Sequence, residues 1–339
     1  MGKGGIDIKD ISVVVQGAVD PVNTALALKG LRKHLHGAEI IVSAWEGTNV
    51  EGLTYDKVIL NKDPGGVTDN RGWVNNLNRQ LVSTQNGLKQ VKRKYALKMR
   101  SDLVFKSHGF IKYWNRFPKR EEEFMFFKER VIFCSMFFKR YVGQIKNKVM
   151  PVPFHISDWM MFGLTEDLNK LFNIDLAQEP EFTNYLNKHK VNTLKPNVLG
   201  ASHRYTPEQY IMYSAITKQS SGNNNSVRFS HMLDYTSDNI TCSERFTANN
   251  CIILEPWQFA FYCAKQGDID PYMSYTKGML GRFKIPYDTW EGLYGFSGFC
   301  EDYKGYCDKD FNIPSYIEHE RKRYLRFHGL FARRGADER

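Results

Sequence analysis

Along the first hundred positions, apolar residues come in short runs separated by polar turns and by two stretches of helical spacing. Ile11-Ser-Val-Val-Val15 is a β-branched run bounded by Gln16-Gly17 and predicts a buried first strand. Thr24 to Leu35 places Leu26, Leu28, Leu31 and Leu35 on or near one face and predicts a helix. Glu39-Ile-Ile-Val-Ser43, closed by Ala44-Trp-Glu-Gly47, predicts a second strand, and Lys57-Val-Ile-Leu60, followed by Asn61-Lys-Asp-Pro-Gly-Gly66, a third. A long helix from about Asn75 to Val91 and a fourth strand from Tyr95 to Leu103 complete the series. Strands and helices in this rhythm predict an α/β fold with a mostly parallel sheet covered on both faces. Ligands of such sheets bind beyond the carboxyl ends of the strands.

The second half is less regular. Glu129 to Cys134 and Phe154 to Gly163 read as strands, and Asp167 to Phe172 opens a helix. Thr206-Pro-Glu-Gln-Tyr210 is a helix start, with Thr206 as cap, Pro207 at the first helical position and Glu208 in the first turn. Ser220 to Ser226 is a polar loop. Glu318 to Arg334 is basic and partly amphipathic, with six Lys or Arg against two Glu.

Composition narrows the class. The 339 residues are 42% hydrophobic and 14% aromatic, which suits a globular protein with a sizeable core. No apolar run approaches the roughly 20 residues needed to span a bilayer. The start, Met1-Gly-Lys-Gly-Gly-Ile-Asp7, has no apolar signal region, so a cytoplasmic location is expected. The six cysteines contain no C-x-x-C pair, which argues against a zinc site and leaves reduced thiols as the expectation, although Cys300 and Cys307 bracket a loop short enough to bridge. A net charge of +10 favours an anionic partner without choosing among phosphorylated ligand, acidic membrane and nucleic acid. No nucleic-acid recognition motif is present, so nucleic acid is not expected.

The chemistry gathers at predicted strand ends. Arg100-Ser-Asp102 puts one cation and one carboxylate at the tip of the fourth strand, where they suit a diphosphate and a divalent ion, Mn²⁺ or Mg²⁺, on Asp102. A divalent ion at a strand tip is commonly held by two acids; with one, Arg100 can instead neutralise the phosphates, or the two side chains can form a structural pair. Gln16 and Gly17, Glu46 beside Trp45, and Lys62 beside Asp63 end the first three strands and are candidates for the nucleoside pocket. Asn75, Asn78, Arg79, Ser83 and Thr84 mark the long helix, and Arg79 is a candidate phosphate ligand. His155-x-x-Asp158-Trp159 places a carboxylate within an apolar segment, where alternation puts Asp158 on one face and His155 with Trp159 on the other. Asp158 and Glu208 are candidate bases toward an acceptor hydroxyl, against structural readings as a turn cap and a dipole partner. No G-x-G-x-x-G and no P-loop signature occur.

Asp10-Ile-Ser-Val-Val-Val-Gln-Gly17, Gly37 to Gly47, Leu60-Asn-Lys-Asp-Pro-Gly65, Asn78-Arg-Gln-Leu-Val-Ser-Thr84 and Tyr95 to Asp102 resemble the WavE family of lipopolysaccharide and surface-polysaccharide synthesis. His155 to Trp159 with Gly163, and Pro207-Glu-Gln-Tyr210, are similar to its later blocks. The resemblance covers roughly residues 10–215 and supplies no secure catalytic residues. It implies a GT-A-like glycosyltransferase taking a nucleotide-sugar donor and a glycan or glycolipid acceptor. The expected division is a nucleotide-sugar-binding half over 8–165, an acceptor-side region of the same domain over 166–317, and a basic tail over 318–339. The tail suits peripheral attachment to an anionic membrane face. The rival expectation is a non-catalytic nucleotide- or glycan-binding module within a synthesis complex.

Overall fold

Ile11-Ser-Val-Val-Val-Gln16 forms β1, and every side chain in it is buried. The computed structural model describes residues 5–144, 148–191, 201–219 and 228–266. Asp20 caps α1 (Pro21–His34) by accepting from the backbone N–H groups of Val22 and Asn23, and Pro21 sits at the first position. The buried face of α1 is Thr24, Ala27, Leu28, Gly30 and Leu31, while Leu26 is 42% exposed, so the stripe is rotated from the one the leucines alone suggest. Two strands follow, β2 (Glu39–Trp45) and β3 (Lys57–Asn61), then a small ribbon of β4 (Val67–Thr68) and β5 (Val74–Asn75). Next come α2 (Leu77–Leu88) and β6 (Tyr95–Arg100).

The fourth strand ends earlier than its sequence suggests. Ser101 and Asp102 turn, and β7 (Leu103–Phe105) leaves the central sheet to pair elsewhere. Then come β8 (Val131–Cys134), β9 (Lys139–Gln144), β10 (Lys148–His155) and β11 (Met160–Leu164). The single strand expected over Phe154 to Gly163 is therefore two. Phe154 takes a left-handed backbone with φ 61°, β10 ends at His155, and Asp158 lies in the connection. Alternation along one strand does not set its direction. The remainder is α3 (Thr165–Phe172), α4 (Tyr185–Lys188), α5 (Pro207–Gln219), α6 (Ser237–Asn250), β12 (Cys251–Leu254), α7 (Pro256–Phe259) and β13 (Phe261–Cys263), the partner of β7.

The central sheet has the order β12-β8-β11-β6-β1-β2-β3. β1 is parallel to both β2 and β6, and β8 to β12. Only β11 opposes its neighbours, β6 and β8. Because β12 closes the far edge, the region after residue 166 completes this sheet. The chain runs outward from β1 through β2 to β3, then crosses back to β6. Crossovers of constant right hand that run in opposite directions put α1 and α2 on opposite faces. They also open a crevice at the carboxyl ends of β1 and β6, where the strand order reverses.

The main core runs through the sheet and its helices, with a smaller cluster of Met150, Val152, Leu186, Ala201, Met232 and Leu233 under the β9–β10 ribbon. Cys134, Cys242, Cys251 and Cys263 are free thiols. Cys300, Cys307, the 220–226 loop and the basic tail lie outside the described residues.

Candidate functional site

The crevice is built by two turns that hold each other. Gly17, just past β1, has φ +112°, a conformation that favours glycine. Its N–H donates to the Ser43 carbonyl at 3.1 Å, and the Ser101 N–H donates to the Gln16 carbonyl at 3.1 Å. The Ser101 hydroxyl donates to the Ala18 carbonyl. Gln16 is buried, and its Oε1 accepts from Ser83 on α2 at 2.7 Å. Its side chain thus joins strand to helix.

At the end of β6, Arg100 and Asp102 form a two-bonded pair, Nε to Oδ1 at 3.0 Å and Nη2 to Oδ2 at 2.6 Å. Arg100 also lies over the Trp159 ring at 4.4 Å. Burial opposes its charge, but the Asp102 bonds and the charges of Asp102 and Asp158 hold the guanidinium protonated. Asp102 is nearly buried, whereas the Arg100 side chain is 33% exposed. The pair therefore presents its cationic side to solvent.

β11 runs antiparallel, so its entrance stands at the same edge. The Trp159 carbonyl accepts from the Arg100 N–H at 3.3 Å. The Asp158 carbonyl accepts from Nζ of Lys98, a fully buried lysine on the same face of β6 as Arg100. Burial pushes Lys98 down to about 8, against the pull of the Asp158 carboxylate.

Glu208 reaches this edge from α5. Thr206 accepts from the Gln209 N–H at 3.2 Å and Gln209 returns the bond, a capping box that fixes the first turn. The Glu208 carboxylate lies 3.6 Å from Nε2 of His155 and is 17% exposed. Burial, then the Asp158 charge, pushes it up to about 7. His155 is pushed down to about 3 by burial and by Lys139, so it is neutral, and its buried Nδ1 has no hydrogen-bond partner. Lys139 stands opposite His155 in the β9–β10 register, and burial lowers it despite the fields of Glu208 and Asp158.

Thus three segments distant in sequence, carrying the Arg100–Asp102 pair, Asp158 and Glu208, come to one edge, with the Asp158 charge acting on both Arg100 and Glu208. Lys98 and Lys139 join them without having been singled out. Lys98 carried a readable signal, a lysine inside Tyr-Ala-Leu-Lys-Met. Lys139 comes in only through long-range strand pairing.

The other candidates sit elsewhere. Glu46 and Lys62 are exposed at the ends of β2 and β3. Arg79 is paired through two bonds with Asp63, at 2.8 and 2.7 Å, which holds the Asp63 carboxyl below its usual range. Asn75 donates to Thr183 at 2.8 Å, and Asn78 exchanges bonds with Ala177 at 2.9 and 2.8 Å, so these amides dock the segment after α3. Two open depressions of about 590 and 910 Å³ lie off the crevice. One is between α2, α3 and α5, the other at the amino end of β6.

As a donor set for a divalent ion, the strand tip offers the Asp102 carboxylate, and both its oxygens accept from Arg100. Among the described residues no three His, Cys, Asp or Glu side chains converge. An ion at a diphosphate needs only one or two carboxylates besides the phosphates, but with both Asp102 oxygens held by Arg100 the strand tip does not fit a divalent ion as it stands.

A family model described as WavE lipopolysaccharide synthesis matches residues 11–266. No curated protein matches the chain.

Proposed function

The chain belongs to the WavE lipopolysaccharide synthesis family, and from that premise we propose that it is a GT-A-like glycosyltransferase. It moves a sugar from a nucleotide-sugar donor to a glycan or glycolipid acceptor of a bacterial surface polysaccharide. The observation that supports this reading is Arg100 at the β1–β6 switch point, where open α/β sheets take their ligands, with Asp158 near enough for its charge to act on both Arg100 and Glu208.

The donor diphosphate lies over the crevice and meets Arg100, with Gly17 keeping the β1 turn tight beneath it. Glu46 and Lys62 bound the nucleoside side. The acceptor hydroxyl faces Glu208, whose carboxyl near 7 suits a base working at neutral pH. Its oxygen forms a bond to the anomeric carbon while the bond from that carbon to the diphosphate breaks. The bonding electrons leave on the diphosphate, where Arg100 stabilises the developing charge, and the hydroxyl proton passes to Glu208. Asp158 keeps that proton on Glu208 by its own charge. This is the inverting course.

Nucleotide release from a panel of UDP-, GDP-, dTDP- and CMP-sugars, with extracted lipopolysaccharide core as acceptor, tests the reading. One donor turned over by the wild type and not by Glu208→Gln is the expected result. Binding without turnover of any donor would favour the scaffold reading, which the closed Arg100–Asp102 pair supports. Among the described residues no helix is long and apolar enough to cross a membrane. Attachment to the inner face of the membrane is proposed through the basic residues of 318–334, each worth roughly 1 kcal/mol near anionic lipid. Deleting residues after 316 should then abolish pelleting with anionic vesicles. Unchanged pelleting would remove the tail from the mechanism.

A further inference from the structure

We infer that this enzyme handles the donor diphosphate without a divalent ion, Arg100 taking the place that a metal holds in a two-acid strand tip. The inference rests on the transferase reading above and concerns the same site.

Three observations lead to it. First, the Asp102 carboxylate is already occupied, each oxygen bonded to a different nitrogen of Arg100. A divalent ion on Asp102 would have to displace a guanidinium and then sit beside it, two cations in contact. Mg²⁺ and Mn²⁺ at a diphosphate take one or two protein carboxylates besides phosphate and water oxygens, and the carboxylate on this strand tip is held by Arg100 through both its oxygens. Glu208 faces His155 at 3.6 Å, and among the described residues no three ligating side chains converge.

Second, Arg100 is built as an anion receptor. Trp159 at 4.4 Å fixes the plane of the guanidinium, and Asp102 fixes its rotation by two bonds. The side chain remains 33% exposed. A planar guanidinium with free N–H groups matches phosphate oxygens in pairs, and a positioned arginine loses less freedom on binding than a free one.

Third, the cations of the edge at least balance its carboxylates before any metal is added. Lys98, Arg100 and Lys139 supply three cations in or beside the site. Against them stand the Asp102 and Asp158 carboxylates, with Glu208 partly protonated near neutral pH. Lys98 is locked to the Asp158 carbonyl, so it stabilises the edge as a fixed buried charge rather than as a mobile ligand.

Calorimetric titration of UDP, GDP and dTDP into the full chain, with CMP as the control that lacks a diphosphate, once in EDTA and once in Mn²⁺, tests this. One nucleoside diphosphate should bind with the same Kd in both buffers. Arg100→Gln should weaken it about tenfold or more, the scale of a lost charged hydrogen bond. Arg100→Lys, which keeps the charge but loses the fork, should fall between. Unfolding curves for both variants establish that they are folded. Binding that requires Mn²⁺ would overturn the inference and leave the transferase reading standing. Metal-independent binding that ignores both Arg100 variants would also overturn it. If no nucleotide binds in either buffer, the transferase reading itself fails and the inference with it.

Discussion

Glu208 carries the sharpest prediction at the scale of single residues. Burial and the Asp158 charge raise its carboxyl to about 7, so the base form appears only as pH rises through that value. Turnover should increase between about pH 6 and 8 and level off above. Glu208→Gln should lower kcat by roughly a hundredfold or more and leave KM nearly unchanged, as expected for a group that acts in the transition state. Asp158→Asn should shift the acid limb of the wild-type profile to lower pH, because it removes the like charge that keeps Glu208 protonated. A profile that does not move in Asp158→Asn would separate the two carboxylates functionally. Arg100 and Asp102 are legible as candidates at a strand end, Asp158 as a carboxylate within an apolar segment, and Glu208 in a helix's first turn. Asp158 was legible as a residue but not as a geometry. The left-handed backbone at Phe154, which splits the expected strand, leaves no mark in the pattern of apolar positions.

At the scale of elements, the first four strands and both long helices follow from hydrophobic periodicity, because each buries a face against the sheet. What periodicity does not carry is pairing. The departure of β7 from the central sheet and the β9–β10 ribbon that delivers Lys139 depend on partners far along the chain. Gly30 illustrates an element-level constraint that sequence alone leaves open. A Cβ there would meet the Phe105 carbonyl oxygen at 2.8 Å, and β7 backbone cannot yield as a flexible side chain would. Gly30→Ala should therefore destabilise the protein. Overpacking of about 1–3 kcal/mol outweighs the ~1 kcal/mol that alanine gains over glycine within a helix. Denaturant unfolding checks this, and a stabilised variant would show that α1 can slide on β7.

At the scale of the whole molecule, His155 and Glu208 give stability a characteristic pH dependence. His155 is held at about 3 in the folded protein against 6.5 for the free side chain, so the unfolded chain binds the extra proton and stability falls as pH drops below 6.5. Glu208 is held at about 7 against 4.5, so the folded chain binds the extra proton and stability rises as pH drops from 7 to 4.5. Each slope is roughly 1.4 kcal/mol per pH unit, and the two oppose each other between 6.5 and 4.5. The wild type should lose stability on acidification mainly below about pH 4.5. Glu208→Gln should begin to lose it near pH 6.5, read from chemical denaturation at a series of pH values. Coincident curves would show that His155 and Glu208 do not share one buried environment.

The measurement that bears most directly on the proposed function is thermal unfolding with UDP, GDP, dTDP or CMP added, for the wild type and Arg100→Gln. A ligand at about 100 times its Kd contributes roughly 2.7 kcal/mol, a shift of several degrees in a chain of this size. A nucleotide-sugar transferase with its diphosphate on Arg100 predicts that one nucleotide raises Tm in the wild type and much less in the variant. No shift with any of the four would contradict a nucleotide site at the β1–β6 crevice.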